Sequence, residues 1–199
     1  MAVKLVKPIN HKKVVKITNQ DFEAKMRELR VNSDIAVAVS GGPDSLALMH
    51  LSNRYALNNN INLTVLSIDH GIRAESSKEI SWLEKIAKKN KINFYSTKLK
   101  KKINSSNTLS KARTLRYEAL SKYCNKKKIK FLLTAHHLDD EIENFLMRLV
   151  RGSGIKGLSS LKVKSRYKNT KLILVRPLLE YSKKSLIQYL SEQKQSYIN

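Results

Sequence analysis

The chain has 199 residues, of which 39 are lysine or arginine and 16 are aspartate or glutamate, giving a formal net charge of +23. Hydrophobic residues make up 41% of the sequence, which is enough for a packed core and argues against global disorder. No apolar run approaches the roughly 20 residues that span a bilayer. The single cysteine, Cys124, excludes an intrachain disulfide framework. Because the N-terminus also lacks the apolar stretch of a secretory signal, we expect a cytoplasmic protein.

The excess of positive charge indicates a polyanionic partner. Such a charge attracts nucleic acid or an anionic membrane surface without regard to sequence. A biased codon usage would explain many lysines and asparagines, but it does not explain why acids are so few. We therefore expect a nucleic-acid partner and no membrane partner, with a merely solvated basic surface as the alternative.

Apolar runs alternate with amphipathic segments along the chain and predict five strands and six helices. Residues 1–17 read as a basic leader, and residues 18–199 as one domain. In chain order the predicted elements are a helix at 21–29, a strand at 35–39, a helix at 44–55, a strand at 63–68, a helix at 77–89, a strand at 92–97, a helix at 110–123, a strand at 131–135, a helix at 139–150, a strand at 172–175 and a helix at 183–192. The helix at 139–150 carries the apolar stripe of a core-facing helix, with Ile142, Phe145, Leu146, Leu149 and Val150.

Strands separated by helices of this length predict βαβ crossovers. The fold class is therefore α/β, a mostly parallel five-stranded sheet with helices on both faces, of the Rossmann-like type. Ligands of such sheets bind beyond the carboxyl ends of the strands, near the point where strand order reverses. Candidate site residues should therefore follow the strands directly.

The segment after the first predicted strand is a candidate anion site. It reads Ser40, Gly41, Gly42, Pro43, Asp44 and Ser45. Free N–H groups at a helix N-terminus bind phosphate, and glycines let the backbone approach it closely. The segment lacks the endings of a Walker A loop and of a dinucleotide fingerprint. Asp44 is either a helix cap, a Mg²⁺ ligand or an anchor for a cationic substrate.

A second group of candidates follows the fourth predicted strand. His136 and His137 end that strand, and Asp139, Asp140 and Glu143 lie in the first turns of the next helix. Acids are favoured there by the helix dipole alone. The functional alternative is that they hold Mg²⁺ and the ammonium group of a substrate, one carboxylate taking its proton. No completing set of ligands suggests zinc.

Two arginines and one aspartate complete the candidates from the residues alone. Arg113 and Arg116 lie one helical turn apart, so they share a face that either contacts phosphate or is simply solvated. Asp69 leaves the second predicted strand and either caps a turn or contacts a ligand.

The motifs together resemble a known family. SGGPDS at 40–45 matches the S-G-G-x-D-S signature of PP-loop ATP pyrophosphatases, which cleave ATP to AMP and pyrophosphate while adenylating a substrate. Within them the chain is similar to the tRNA(Ile)-lysidine synthases, from about residue 16 onward. The further elements that carry this resemblance are IDHGIR at 68–73, AR at 112–113, RY at 116–117, TAHHLDD at 134–140, RGSGIKGL at 151–158 and RPLL at 176–179.

The resemblance implies a role for each matching residue. Ser40–Ser45 and His136 would bind ATP, and Ile68, Asp69 and His70 would lie near its adenine. Arg73 would contact phosphate or is simply solvated. Arg113 matches the arginine associated with the reaction site. Asp44 and Asp140 would hold Mg²⁺. Asp139, Asp140 and Glu143 would handle the amine. The family's motif continues with Thr after that glutamate, where this chain has Asn144.

The resemblance also implies a reaction. O2 of the wobble cytidine of tRNA(Ile) with a CAU anticodon would attack the α-phosphate of ATP, and free L-lysine would then displace AMP from C2 to give lysidine. Alternatives are another adenylating tRNA modifier of the thiolase type, or an RNA-binding relative without catalysis. The family continues into a tRNA-binding region that we expect this chain to lack. The sequence leaves the oligomeric state open, a homodimer included.

Overall fold

A computed structural model describes residues 15–69, 76–98, 108–150, 152 and 161–198. Six helices and six strands lie within these ranges. In chain order they are α1 (Asn19–Glu28), β1 (Ile35–Ala38), α2 (Pro43–Asn58), β2 (Leu63–Asp69), α3 (Ser76–Lys89), β3 (Asn93–Lys98), α4 (Thr108–Lys126), β4 (Phe131–Leu133), α5 (Leu138–Val150), β5 (Lys164–Arg166), β6 (Ile173–Val175) and α6 (Lys183–Glu192).

The strands form one sheet in the order β3-β2-β1-β4-β6-β5. The first five strands in this order are parallel, with Ile35 of β1 paired to Leu63 and to Phe131 on its two sides. The five predicted strands and the α/β class are confirmed. The prediction of five strands in all is wrong, because β5 adds a sixth, antiparallel strand at the edge. Its three residues, Lys-Ser-Arg, carry no apolar pattern that could have revealed it.

Both faces of the sheet are covered, which explains the continuous apolar runs of the central strands. Val37 and Leu133 point into a core shared with α1, α2, α3 and α6. Their neighbours Ala36 and Leu132 point into a second core shared with α4. Ile17, the last residue of the predicted leader, is buried in the first core, whereas residues 1–14 lie outside the described residues.

Helix α5 differs from the prediction in its packing. The helix itself is confirmed, but none of its residues is buried by the described part of the chain. Its apolar stripe is about half exposed, with Phe145 at 46% and Leu149 at 53%. Gly152 follows it with a positive φ of 67° and donates its N–H to Leu149, as a glycine after a helix end commonly does. None of the helices in the described ranges is long and apolar enough to cross a bilayer.

The central strand β4 should dominate stability. Leu133 of β4 is fully buried in the first core, so Leu133→Ala leaves a cavity and should lower the free energy of unfolding by about 3 kcal/mol. Leu57→Ala removes the same atoms from a side chain that is 65% exposed and serves as the control. Urea unfolding of both variants measures the difference, and equal losses would contradict the packing described here.

Candidate active site

A cavity of about 590 Å³ opens at the carboxyl ends of β1, β2 and β4. This volume falls in the range of small-molecule and cofactor sites. It lies where strand order reverses, between β1 and β4, as expected for an open α/β sheet. The predicted site residues that line it are Ser40, Gly42, Asp44, Ser45, Ile68, Asp69, His136 and Asp140.

The loop between β1 and α2 is held by its own hydrogen bonds. Ser40 donates its backbone N–H to Ser45 Oγ at 3.2 Å, and the Ser45 hydroxyl donates to the Gly42 carbonyl at 3.0 Å. Gly42 is the N-cap of α2 and Pro43 its first residue, so no side chain caps the helix. The first turn of α2 thus presents beside the cavity the N–H groups that an anion site needs.

Gly41 lies on a different side of the loop from its neighbour Gly42. It does not line the cavity but is buried on the other side of the loop, with a positive φ of 97°. A side chain is strained at such a φ, which accounts for glycine here. Gly41 thus shapes the backbone of the loop from its buried side, and its predicted contact with the nucleotide stays a prediction.

His137 joins the two halves of the site, although sequence reasoning gave it no role. Its Nε2 atom lies 3.6 Å from Asp44 Oδ2 and 3.6 Å from Asp140 Oδ2, so the start of α2 meets the start of α5 at one buried imidazole. Burial opposes its charge, but hydrogen bonding to Asp44 and the charges of Asp140 and Asp139 outweigh this and raise the pKa of His137.

Asp44 and Asp140 are the carboxylates of the cavity that would hold a magnesium ion. Asp44 Oδ1 is buried and has no hydrogen-bond partner within the described ranges, which is costly unless a ligand or cation supplies one. Asp140 lines the same cavity, and its Oδ2 accepts a hydrogen bond from the backbone N–H of His137 at 2.9 Å. Mg²⁺ usually takes one or two carboxylates and completes its shell with phosphate oxygens and water. Accordingly, no group of three or more metal-binding side chains occurs in the described part of the chain.

The other two predicted acids do not line the cavity. Asp139 Oδ2 accepts the backbone N–H of Lys183 at 2.6 Å and thereby ties α5 to the first turn of α6. Glu143 is exposed one turn further along α5. The Asn144 side chain donates to the Asp140 carbonyl at 2.6 Å, within the helix.

Replacement of Asp139 should affect the stability of the protein but not its affinity for ATP. Asp139→Ala removes an acceptor from the α6 N-terminus and should lower the free energy of unfolding by about 1 kcal/mol. ATP affinity, measured by calorimetry, should stay within about twofold of the parent chain, because Asp139 does not line the cavity. Glu141→Ala on the same turn is the control. A large loss of ATP affinity at unchanged stability would place Asp139 in the site instead.

His136 also lines the cavity and is held as a neutral ring. Arg113 Nη2 lies 3.3 Å from His136 Nε2, and Thr134 Oγ1 lies 2.9 Å from His136 Nδ1. Because a guanidinium can only donate, Nε2 accepts and Nδ1 carries the proton toward the threonine. Burial, together with the charges of Arg176, Arg113 and Arg116, lowers the pKa of His136 to about 3.

This neutral histidine makes stability depend on pH. The unfolded chain takes up the proton near pH 6.5, whereas the folded protein does so only near pH 3, so the free energy of unfolding falls as pH drops below 6.5. At about pH 5 the loss amounts to about 2 kcal/mol. Urea unfolding of the parent and of His136→Asn at about pH 7.5 and 5 checks this. Between these two pH values the free energy of unfolding of the variant should fall by about 2 kcal/mol less than that of the parent. An identical pH dependence in parent and variant would contradict the assignment.

Sequence reasoning missed several residues of the cavity wall. Arg116 lines the cavity, whereas Arg113, the match to the family's reaction-site arginine, does not line it but contacts two residues that do, His136 and Tyr117. Tyr117 and Glu79 also line it, and only a helix model with the correct rotation could have revealed them. His70, Arg73 and most of the motif at 151–158 lie outside the described residues.

Comparison with known proteins decides the family. The PP-loop domain family matches residues 11–199. The chain belongs to this family. The predicted membership in the PP-loop family is thereby confirmed.

Curated relatives carry a more specific name. The chain is 46% identical over 159 residues to the tRNA(Ile)-lysidine synthase of Rickettsia bellii strain OSU 85-389, covering 80% of this chain and 36% of the relative. It is 41% identical over 178 residues to that of Rickettsia typhi, covering 88% of this chain and 41% of the relative. The chain thus spans about two fifths of the length of these relatives.

Solved structures of the same fold are more distant. The U34-tRNA thiolase NcsA from Methanococcus maripaludis, solved with its 4Fe–4S cluster, superposes with a TM-score of 0.76 at 23% identity, covering 90% of this chain and 65% of that one. The phosphoadenylyl-sulfate reductase from Candida auris, in complex with phosphate, gives 0.58 at 12% identity, covering 93% and 91%. At these identities the likeness establishes the fold alone.

Proposed function

We propose that the chain contributes the ATP-dependent ligation of L-lysine to C2 of the wobble cytidine in tRNA(Ile) with a CAU anticodon. The observation that carries the proposal is the meeting of the Ser40–Ser45 loop with Asp44 and Asp140 in one cavity at the strand-order reversal. The names of the relatives support this reaction, and a cytoplasmic location suits it.

The triphosphate of ATP is assigned to the loop. Its phosphates would accept the N–H groups of the α2 first turn and the Ser40 hydroxyl, which is exposed beside the cavity. The adenine would lie toward the end of β2, at Ile68 and Asp69, whose side chains also face this space. His70 and Arg73, which lie outside the described residues, stay proposed contacts of ATP.

Charge stabilisation and proton transfer are assigned to the arginines of α4 and to Asp44 and Asp140. Cytidine O2 attacks the α-phosphate and pyrophosphate leaves; Arg113 and Arg116 would face the charge that develops on the phosphoryl oxygens. Mg²⁺ bound by Asp44 and Asp140 would supply further neutralisation of the leaving pyrophosphate. In the second step Asp140 would take the proton of the lysine ε-amine, and the neutral amine would attack C2 of the adenylated cytidine and displace AMP.

The remaining predicted acids receive lesser roles in this proposal. Glu143 would attract an ammonium group of free lysine at the rim of the cavity, one turn from Asp140. Asp139 would act as a positioning residue, since its carboxylate lies 3.4 Å from His137 Nδ1 as well as on α6. His136 would orient Arg113 rather than bind the nucleotide directly.

The RNA partner is supported by the charge of the chain. The net charge of +23 favours a polyanion larger than ATP. Exposed lysines on and just after α4 lie on the same side of the sheet as Arg116. They are Lys111, Lys122, Lys126, Lys127 and Lys128.

The thiolase alternative is disfavoured by the only cysteine. Cys124 is fully buried in the second core and does not line the cavity. Burial raises the pKa of its thiol to about 12, so the reactive thiolate is suppressed.

The test is transfer of radiolabelled lysine to the tRNA. Protein, ATP, Mg²⁺, labelled lysine and tRNA(Ile) with a CAU anticodon should give ATP-dependent label in the RNA. Asp44→Asn should lower the rate at least about 100-fold, because the carboxylate proposed to hold Mg²⁺ beside the phosphates is lost. Asp34→Asn makes the same change at the opposite end of β1 and should retain the parent rate.

Two outcomes count against the proposal. One is absence of ATP-dependent label in the RNA at any protein concentration. The other is equal activity of Asp44→Asn and the parent, which would move the chemistry out of this cavity.

A further inference from the structure

The phosphate-binding loop is backed by a residue from the segment that follows α6. Ile198 donates its backbone N–H to the Gly41 carbonyl at 2.9 Å. Its side chain lies over Gly41 so closely that a Cβ there would come within 2.8 Å of Ile198 Cδ1. Gly41 is buried by this contact, while Gly42 beside it lines the cavity.

This hydrogen bond fixes the direction of one peptide group. The peptide bonds of the described residues are trans, and in a planar trans peptide the C=O and N–H point in opposite directions. Because the Gly41 carbonyl points at Ile198, the N–H of Gly42 points away from Ile198, toward the side on which Gly42 lines the cavity.

The loop sequence alone does not select that direction. Gly41 and Gly42 both lack a Cβ, so the peptide between them can rotate at low cost. The opposite orientation would turn the Gly41 carbonyl oxygen toward an incoming phosphate and repel it. An external contact is therefore needed to keep the donor facing the anion.

We propose that Ile198 is a positioning residue of the nucleotide site, which holds the Gly41–Gly42 peptide so that its N–H faces the phosphates. The proposal rests on the assignment of the ATP phosphates to the Ser40–Ser45 loop. It makes the segment after α6 part of the phosphate site, although that segment does not line the cavity.

The test compares two ligands on the full chain by calorimetry: inorganic pyrophosphate, which needs the loop, and adenosine, which does not. Ile198→Pro removes the N–H but keeps an apolar ring, and pyrophosphate affinity should fall about tenfold while adenosine affinity stays within about twofold. Ser196→Pro makes the same change at an exposed residue of the same segment and should alter neither affinity.

A second variant keeps the hydrogen bond. Ile198→Ala retains the N–H and removes only the cover over Gly41, so pyrophosphate affinity should fall less, by about threefold, with the thermal midpoint unchanged. Ile198→Pro with the pyrophosphate affinity of the parent overturns the inference, as does an equal loss for both ligands. If the parent chain binds neither ATP nor pyrophosphate, the proposed function fails first, and the inference fails with it.

Discussion

The site depends on the reversal of strand order between β1 and β4. Chain connections leave these neighbouring parallel strands toward different parts of the sheet, and a crevice opens between them at their carboxyl ends. The loop after β1 brings uncapped N–H groups to this crevice, and the start of α5 after β4 brings carboxylates. N–H donors for phosphate and carboxylates for a cation or amine therefore lie side by side, although they come from segments far apart in the sequence.

Two adjacent histidines show how the fold divides the charge of the cavity. Burial opposes the charge of both rings, but three carboxylates outweigh it at His137 and raise its pKa, whereas burial and nearby arginines together lower the pKa of His136. The backbone after β4 therefore separates an acidic wall from a basic one. A reaction that forms a pyrophosphate leaving group and then needs a neutral amine uses both kinds of environment.

Much of this arrangement could be predicted from the sequence. Apolar runs such as Ile35–Val39 are continuous because both faces of the strand are buried, and SGGPDS is a local motif that forms its own loop. What could not be predicted depends on packing between distant segments. Three features leave no periodic or local signal in the sequence: the hydrogen bond from α6 to Asp139, the contact of Ile198 with Gly41, and the polar edge strand β5. The exposed stripe of α5 shows the converse, since an amphipathic pattern indicates a helix but does not identify its partner.

The most direct test of the account is a crystal structure of the protein with a non-hydrolysable ATP analogue. The account predicts that the β- and γ-phosphates contact the N–H of Gly42 and the first turn of α2, with Asp44 and Asp140 facing them and the adenine beside Ile68. An analogue bound elsewhere on the protein, with the Ser40–Ser45 loop free of phosphate, would contradict it.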